Sequence, residues 1–203
     1  MEVVPGRGLR GVLGLEARVK AISYCTPRYG GEAKRLEESL RLFGMDFVIR
    51  ELPDRGSWAM NARAKIAVLI WARLQWPGLA LLWLDADAEV MAPPVLPFTP
   101  HEVDVGCHWH ERSDGKASPG TVYLGPTMAS YHFLLAWIEG CSGSLNDQDT
   151  FNAALEVIPE DRVWHMPAEW CYIEDLDLPP SITGKEVVIQ QHQASRRLRR
   201  RNT

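Results

Sequence analysis

Apolar residues recur along this chain in two alternating patterns, one typical of strands and the other of helices. Short apolar runs at residues 19–24 and 47–49 are bounded by turn residues and predict buried strands. Apolar residues at helical spacing predict amphipathic helices over residues 32–43 and 57–75. The buried face of the second helix is expected to hold Ala62, Ile66, Leu69, Ile70 and Leu74. Strand and helix in alternation predict an α/β fold with a mixed, mainly parallel sheet flanked by helices.

The strongest pattern lies at residues 81–90, LLWLDADAEV. An apolar run predicts a buried strand over 81–85 and ends in two carboxylates, Asp85 and Asp87, one residue apart. Ligands of open α/β sheets bind beyond the carboxyl ends of the strands, and alternate residues of a strand point to the same side. The two carboxylates are therefore candidates for holding one divalent cation. Two solvated aspartates at a strand end would give the same sequence.

The second half of the chain continues the pattern with shorter elements. Strands are predicted at 103–109, 120–125, 163–166 and 187–191, and helices at 127–139 and 146–155. Residues 111–119 are expected to form a polar loop. No repeat or linker interrupts the 203 residues, so one domain is expected over residues 1–195, followed by a basic tail over 196–203.

Two later motifs add polar residues to the ends of predicted elements. In NDQDTFN, Asp147, Gln148 and Asp149 begin a predicted helix, where backbone N–H groups orient carboxylates. In VVIQQHQASR, an apolar strand leads to His192, and an imidazole can complete a metal site begun by two aspartates. Taken singly, the first motif is more typical of a capped surface helix and the second of a surface histidine.

Composition narrows the class of protein. Apolar residues make up 46% and charged residues 24%, which is typical of a globular domain. The four cysteines are far apart and form no CxxC pair, which argues against a zinc site or a disulfide scaffold and favours a reducing cytoplasm. No apolar stretch approaches the roughly 20 residues of a membrane span, and the N-terminus has no signal-peptide pattern.

Together the three motifs resemble those of the glycosyltransferases of the GT-A fold, which use nucleotide-diphosphate sugars. LLWLDADAEV is similar to that family's Asp-x-Asp segment, and DQDTFN looks like the Asp-Gln-Asp-x-x-Asn segment of its retaining branch, the glycogenin-like and bacterial galactosyltransferase-like enzymes. His192 is similar to the third metal ligand of the family. GTVYLG, residues 120–125, stands where that branch has a strand and a glycine-containing loop facing the sugars.

The resemblance implies a set of roles. Asp85, Asp87 and His192 would hold Mn²⁺ or Mg²⁺ on the diphosphate of the donor, and the expected donor is a UDP-sugar. Thr26, Arg28 and Tyr29 in the loop after the first strand would meet the nucleoside. Asp147, Gln148 and Asp149 would line the sugar. The amide of Gln148 is a poor nucleophile, so retention would proceed by front-face attack assisted by the leaving phosphate.

One departure from the family concerns the charge that faces the diphosphate. The branch often carries a lysine shortly after its late histidine, whereas here His192 is followed by Gln-Ala-Ser-Arg. Arg196, or Lys65 on the second predicted helix, is the candidate to supply that charge. The donor-binding residues expected from the resemblance are thus Thr26, Arg28, Tyr29, Lys65, Asp85, Asp87 and Arg196.

Three other classes use parts of the same pattern. Phosphohydrolases with an aspartate nucleophile also end a strand in Asp-x-Asp, but that strand normally opens the domain, and here two β-α units precede it. Nucleotidyltransferases need a glycine-rich basic loop after the first strand, which TPRYGGEAKR matches poorly. A non-enzymatic nucleic-acid-binding module built on the tail would leave the three polar motifs without a role.

Charge distribution suggests an acceptor. Five of the 22 basic residues lie at 196–201, so the rest of the chain holds 17 basic against 26 acidic residues, a balance of about −9. The tail is either a solvated basic end or a clamp for a phosphate backbone. The second interpretation predicts a DNA acceptor, such as a hydroxymethylated base, and the first leaves a saccharide or small-molecule acceptor. The oligomeric state is not predicted.

Overall fold

The computed structural model describes residues 19–110, 115–141, 147–174, 176–177 and 183–194, with the side chains at 58, 59 and 62 left out. The strands are β1 (Val19–Cys25), β2 (Asp46–Glu51), β3 (Ala80–Leu84), β4 (Ala88–Val90), β5 (Val105–Trp109), β6 (Ala117–Leu124), β7 (Val163–His165) and β8 (Ile189–Gln191). The helices are α1 (Gly30–Leu42), α2 (Trp58–Gln75), α3 (Met128–Gly140) and α4 (Asp147–Leu155), and short 3-10 turns lie at Pro27–Tyr29, Glu160–Arg162 and Ala168–Trp170.

Six strands form the main sheet in the order β2-β1-β3-β6-β5-β7. β1 pairs in parallel with β2 and β3, β7 pairs in parallel with β5, and β6 runs antiparallel to both of its neighbours. Five strands of this sheet therefore point one way and β6 opposes them. The predicted mixed, mainly parallel sheet flanked by helices is confirmed.

Strand β3 lies between two apolar layers, one on each face of the sheet. All five of its residues are buried. Leu81 and Trp83 pack with α2, α3 and α4 on one face, whereas Leu82 and Leu84 pack with α1 and β8 on the other. An unbroken apolar run is the expected sequence for a strand covered on both faces. The strand therefore holds the two aspartates that follow it on a rigid base.

Helix α2 differs from the prediction at one position. Ile66 and Leu69 are fully buried, as expected, but Leu74 is 62% exposed. Leu74 lies on the side of the helix opposite to the buried residues, and the neighbouring Arg73 turns inward instead. The Arg73 guanidinium donates hydrogen bonds to the carbonyl oxygens of Leu79, Leu124 and Gly125, so it joins the start of β3 to the end of β6.

Two strands were not fully anticipated. β6 begins at Ala117, inside the segment predicted as a polar loop, of which residues 111–114 lie outside the described residues. β4 was not predicted, and it pairs antiparallel with β8 to form a separate two-stranded sheet. This small sheet brings the last described residues against the segment that follows β3.

No helix in the described part of the chain is both long and apolar enough to cross a membrane. All four cysteines are buried and unbridged.

Candidate active site at the carboxyl edge of the sheet

The parallel strands β1 and β3 end at the same edge of the sheet, and the polar residues predicted for the site follow them there. β1 leads into Thr26, which is buried and whose carbonyl oxygen accepts a hydrogen bond from the Tyr29 N–H at 2.8 Å. β3 leads into Asp85, whose N–H donates to the carbonyl oxygen of Gly120 on β6 at 3.0 Å. The edge therefore joins three segments that are distant in sequence.

Lys65 lies beneath this edge, between two carboxylates. Its ammonium nitrogen is 2.9 Å from Oδ1 of Asp85 and 3.8 Å from Oδ2 of Asp147. It also donates a hydrogen bond to the carbonyl oxygen of Pro119 at 3.0 Å. The Lys65 side chain is only 7% exposed. In this arrangement the lysine that the sequence suggested for the diphosphate neutralises the aspartates of the site.

Burial and neighbouring charges act on the pKa values of Lys65 and Asp147 in opposite directions. Burial by itself would lower the pKa of Lys65, but Asp85 and Asp147 more than compensate and raise it above its ordinary value. Burial raises the pKa of Asp147, with a further contribution from Asp85, although Lys65 acts to lower it. The pKa of Asp87 is raised by burial and then by Asp85. The site thus holds more negative charge than one lysine balances, which favours a bound cation.

Asp87 is held against residues 191–194 by the small sheet. Ala88 pairs with Gln191, and the carbonyl oxygen of Asp87 accepts a hydrogen bond from the His192 N–H at 3.2 Å. Oδ2 of Asp87 accepts a second bond from the Ala194 N–H at 2.6 Å. Between these two, Gln193 has a φ of 52°, a left-handed conformation that is uncommon outside glycine. The backbone is therefore turned tightly around the Asp87 carboxylate.

The His192 side chain is oriented by a residue that the sequence analysis missed. Its Nε2 lies 2.7 Å from Oε2 of Glu89, which also lies 3.5 Å from the Arg35 Nε on α1. Histidines that bind metals usually donate their other ring N–H to such a carboxylate. Glu89 follows Asp87 at the same-face spacing of a strand, and this spacing is the signal in the sequence that could have indicated it.

The two aspartates of the Asp-Gln-Asp segment have different surroundings. Asp147 belongs to the cluster around Lys65. The Gln148 amide donates to the carbonyl oxygen of Ala117 at 3.3 Å, and Asn152 makes two hydrogen bonds to the backbone of the same residue. Asp149 instead forms an exposed ion pair with Lys116 at 2.7 Å. Helix α4 is thus fastened to the start of β6, with Asp147 facing the cluster and Asp149 outside it.

The remaining predicted residues surround the first loop. Arg28 is exposed and Tyr29 is partly exposed, and both contact other residues. Tyr24, in β1 just before this loop, donates its hydroxyl to the carbonyl oxygen of Asn61 and packs against Trp83 with ring centroids 6.0 Å apart, so it belongs to the core. Arg196 and Asn146 lie outside the described residues.

The three predicted metal ligands are neighbours without forming a closed ligand set. Among the described residues, the group that brings three potential ligand atoms within 4.8 Å of one another is His108, His110 and Asp177, away from the Asp-x-Asp segment. Oδ1 of Asp85 is taken by Trp83 and Lys65, and Oδ2 of Asp87 by Ala194. Each aspartate therefore retains its second oxygen as a donor for a hard cation.

A cavity of about 330 Å³ is lined by β5, β7 and the segments around Glu169 and Lys185. Trp109 and His165 stack in its wall with ring centroids 4.4 Å apart and an angle of 14° between the rings. Glu169 and Lys185 form an ion pair in the same wall at 3.3 Å. Because Trp109 pairs with Ala117, the residue that Gln148 contacts, the cavity is adjacent to the Asp-Gln-Asp segment.

Comparisons with known proteins identify the fold. No family model matches the sequence, and no curated protein is significantly similar to it. Among solved structures, the chain is similar to a glycosyltransferase involved in glycosylation of the major capsid of PBCV-1, with a TM-score of 0.70, 14% identity and coverage of 86% of this chain and 92% of that chain. It is also similar to the bifunctional glycosyltransferase WbbM, with a TM-score of 0.56, 12% identity and coverage of 90% of this chain but 47% of the longer one. The chain therefore has a glycosyltransferase fold.

Proposed function

We propose that the protein is a metal-dependent glycosyltransferase that moves a sugar from a nucleotide-diphosphate sugar, best a UDP-sugar, to an acceptor hydroxyl. The observation that carries the proposal is the cluster of Asp85, Lys65 and Asp147 at the carboxyl edge of the sheet. Its position matches the place where open α/β sheets bind ligands, and the fold is one that glycosyltransferases use.

Asp85, Asp87 and His192 would hold the ion, Mn²⁺ or Mg²⁺. Supporting this, Asp85 and Asp87 each have one anchored oxygen and one remaining donor, and Glu89 holds the His192 ring through Nε2, which leaves Nδ1 for a metal. When bound, the ion would act as a Lewis acid that neutralises the departing nucleoside diphosphate. Lys65 supplies a counter-charge to the neighbouring carboxylates and forms an ion pair with Asp85.

The donor would lie along the edge from the first loop to helix α4. Arg28 and Tyr29 would meet the nucleoside, and Arg196 remains a candidate for the diphosphate. Gln148 would face the sugar, since its amide is fixed at the start of β6. An amide is a poor nucleophile, so we propose retention by front-face attack assisted by the leaving phosphate.

The cavity beside Trp109 favours a saccharide or small-molecule acceptor. The flat stacked pair of Trp109 and His165 offers an apolar face, and the ion pair of Glu169 and Lys185 offers polar partners for hydroxyl groups. A cavity of about 330 Å³ is of the size that holds a small ligand.

DNA carrying a hydroxymethylated base is a second candidate acceptor, favoured by the five arginines at residues 196–201. Each phosphate that the tail neutralises adds a slope of about −0.9 to the dependence of log affinity on log salt. Truncation after Arg197 would then weaken DNA binding and flatten its salt dependence, while donor hydrolysis stays unchanged. Unaltered DNA binding after truncation, or none at low salt, would leave the saccharide acceptor.

A screen of nucleotide-sugars with Mn²⁺ tests the proposal, since slow hydrolysis of the correct donor releases a nucleoside diphosphate without an acceptor. Excess chelator should abolish the release and Mn²⁺ should restore it. Gln148→Ala should lower kcat far more than it raises KM, the pattern of an interaction made in the transition state, while the exposed control Gln75→Ala should match the wild type. Full turnover in excess chelator, or a normal kcat for Gln148→Ala, would contradict the assigned roles.

A further inference from the structure

A second group of metal-ligating side chains lies away from the proposed donor site, in the interior. His108 is on β5, His110 follows the end of that strand, and Asp177 lies in a late segment of the chain. The two histidines are each 5% exposed and Asp177 is fully buried. Buried histidine and aspartate side chains need charge or hydrogen-bond partners, and these three supply them mainly to one another.

The contacts of Asp177 connect the group. Its Oδ1 lies 3.0 Å from Nε2 of His108 and 2.9 Å from Nδ1 of His110. Its Oδ2 lies 2.9 Å from the same nitrogen of His110 and accepts a hydrogen bond from the Ile173 N–H at 2.8 Å. The carboxylate is thus surrounded by nitrogen atoms on every side that the structure describes.

Both ring nitrogens of His108 face oxygen acceptors, which requires a positive charge in this group. Its Nδ1 lies 2.9 Å from the carbonyl oxygen of Met166, which can only accept, so Nδ1 carries the hydrogen. Its Nε2 faces the Asp177 carboxylate, which also only accepts when ionised. A neutral imidazole has one N–H, so either a second proton or a metal cation must lie between Nε2 and the carboxylate.

We propose that His108, His110 and Asp177 bind one divalent transition metal ion, with Zn²⁺ the best match. Two imidazoles and one carboxylate are a ligand set that Zn²⁺ accepts, at bond lengths of about 2.0–2.2 Å. Ligand atoms around a tetrahedral ion of that size lie roughly 3.3 Å apart, close to the 2.9 and 3.0 Å separations from Asp177. The carbonyl oxygen of Met166 holds the outer nitrogen of His108, as second-shell partners of zinc ligands do.

This site differs from the Asp-x-Asp site in chemistry and in consequence. Nitrogen ligands favour Zn²⁺ over Mg²⁺, whereas the oxygen donors of Asp85 and Asp87 suit Mn²⁺ or Mg²⁺. The wide spacing of the cysteines argued against a zinc site built on thiolates, and this one uses none. The bound ion would link β5 to Asp177, whose carboxylate also holds the Ile173 N–H. Because His108 lines the cavity beside Trp109, the ion would fix one wall of that cavity.

Metal content and cobalt spectra test the site without any enzyme assay. Protein stripped with a strong chelator is titrated with Co²⁺ alone, and bound zinc is measured in protein refilled with Zn²⁺ and then desalted. Wild-type protein should bind about one equivalent and give the intense visible absorption of four-coordinate Co²⁺. Asp177→Asn and His110→Gln should lose both signals, whereas the exposed control His132→Gln should keep them.

The Asp85→Asn, Asp87→Asn double variant separates this site from the donor site and should retain the zinc and the cobalt spectrum. The site is disproved if wild-type protein shows neither signal, if Asp177→Asn keeps both, or if the double variant loses them. Should the Asp177 variant not fold, the wild-type titration decides alone, because an imidazolium ion paired with Asp177 would give no visible absorption with Co²⁺.

Discussion

The single residue on which the candidate site depends most is Lys65. Its ammonium group contacts Asp85, approaches Asp147 and lies 5.6 Å from the centre of the Trp83 ring. Trp83 in turn donates its indole N–H to Asp85 at 2.8 Å. A cation in the interior is costly unless it is paired, so this lysine and its two carboxylates stabilise the fold only together.

Replacing Lys65 should therefore destabilise the protein. Lys65→Met keeps the length of the side chain and leaves Asp85 and Asp147 without a counter-charge, and we expect a loss of about 2–4 kcal/mol in the free energy of unfolding in urea at pH 7. The loss should shrink as the pH falls towards 4, because the pKa of Asp147 is raised by burial and its protonation removes the repulsion. Lys34→Met, in an exposed pair with Glu38, should cost less than about 0.5 kcal/mol. Equal losses for the two variants would contradict the role of Lys65.

Asp87 is expected to lower the stability of the protein at neutral pH while being required for activity. Its folded-state pKa is raised by burial and by Asp85, so the folded protein holds this proton more tightly than the unfolded chain. The stability that this residue contributes is present below the unfolded pKa of about 4 and is lost as the pH rises through the folded pKa. Asp87→Asn should thus melt higher than the wild type at pH 7 in chelator, with the difference vanishing below pH 4.

The same variant should lose about 100-fold or more in kcat, the typical cost of removing one electrostatic group from an active site. Asp161→Asn, at an exposed position, serves as the control for both measurements and should resemble the wild type. A lower melting temperature for Asp87→Asn at neutral pH would mean that the Ala194 hydrogen bond outweighs the repulsion from Asp85.

Glu89 should act on metal affinity through His192. Glu89→Gln keeps the shape of the side chain but removes the charge that orients the ring, and loss of such a partner typically weakens metal binding by about 10–100-fold. The measurement is the Mn²⁺ concentration that gives half-maximal donor hydrolysis. Glu156→Gln, on an exposed position after α4, should leave it unchanged. An unaltered Mn²⁺ requirement would remove His192 from the set of metal ligands.

At the scale of the elements, the sequence predicted those strands and helices that have a clear local pattern of apolar residues. It missed the features that depend on contacts between distant residues. The apolar run before Asp85 gave β3 within one residue, because a strand covered on both faces has an unmistakable composition. β4 is three residues long and exists only because it pairs with β8. Likewise, His108 and Asp177 are 69 residues apart, and no periodicity connects them.

The start of β6 was missed for a different reason. Pro119 and Gly120 are typical of turns, and proline lacks the N–H that a central strand requires. The register between β5 and β6 is irregular between Gly106 and His108, so this part of β6 is relieved of regular pairing. The displaced Pro119 and Gly120 carbonyl oxygens instead accept hydrogen bonds from Lys65 and Gln191. The irregular strand thus helps to build the site.

The end of β6 is closely packed, and this gives a prediction for Gly125. A Cβ atom at Gly125 would lie 2.0 Å from the carbonyl oxygen of Val103, and backbone cannot move aside easily. Gly125→Ala should lower the free energy of unfolding by about 3 kcal/mol or more, the upper range for overpacking. Gly78→Ala is the matched control, since its Cβ would meet nothing within 4 Å. Similar urea midpoints for the two variants would show that the Val103 segment yields.

At the scale of the whole molecule, the edge of the sheet explains why three sequence motifs belong to one site. The carboxyl ends of β1 and β3 meet there because the two strands pair in parallel, and Asp147 joins them through Lys65. The roles of these residues in binding and catalysis stay predictions. The cavity beside Trp109 was not predicted at all, because its wall combines β5, β7 and the segment around Lys185, and only the folded chain brings these together.

The pairing of β4 with β8 also has a consequence for the order in which the molecule assembles. Asp87 and Ala194 are separated by 107 positions, and Glu89 and His192 by 103. Closing a loop of that length costs about 4 kcal/mol in chain entropy beyond a constant, and three residue pairs offer little in return until the sheet beneath them exists. The layers around β3 can form without this contact, whereas the proposed cation site, which includes His192, cannot. Recovery of Mn²⁺ affinity during refolding should therefore lag behind recovery of the buried tryptophan signal, and metal binding would mark the last step of folding.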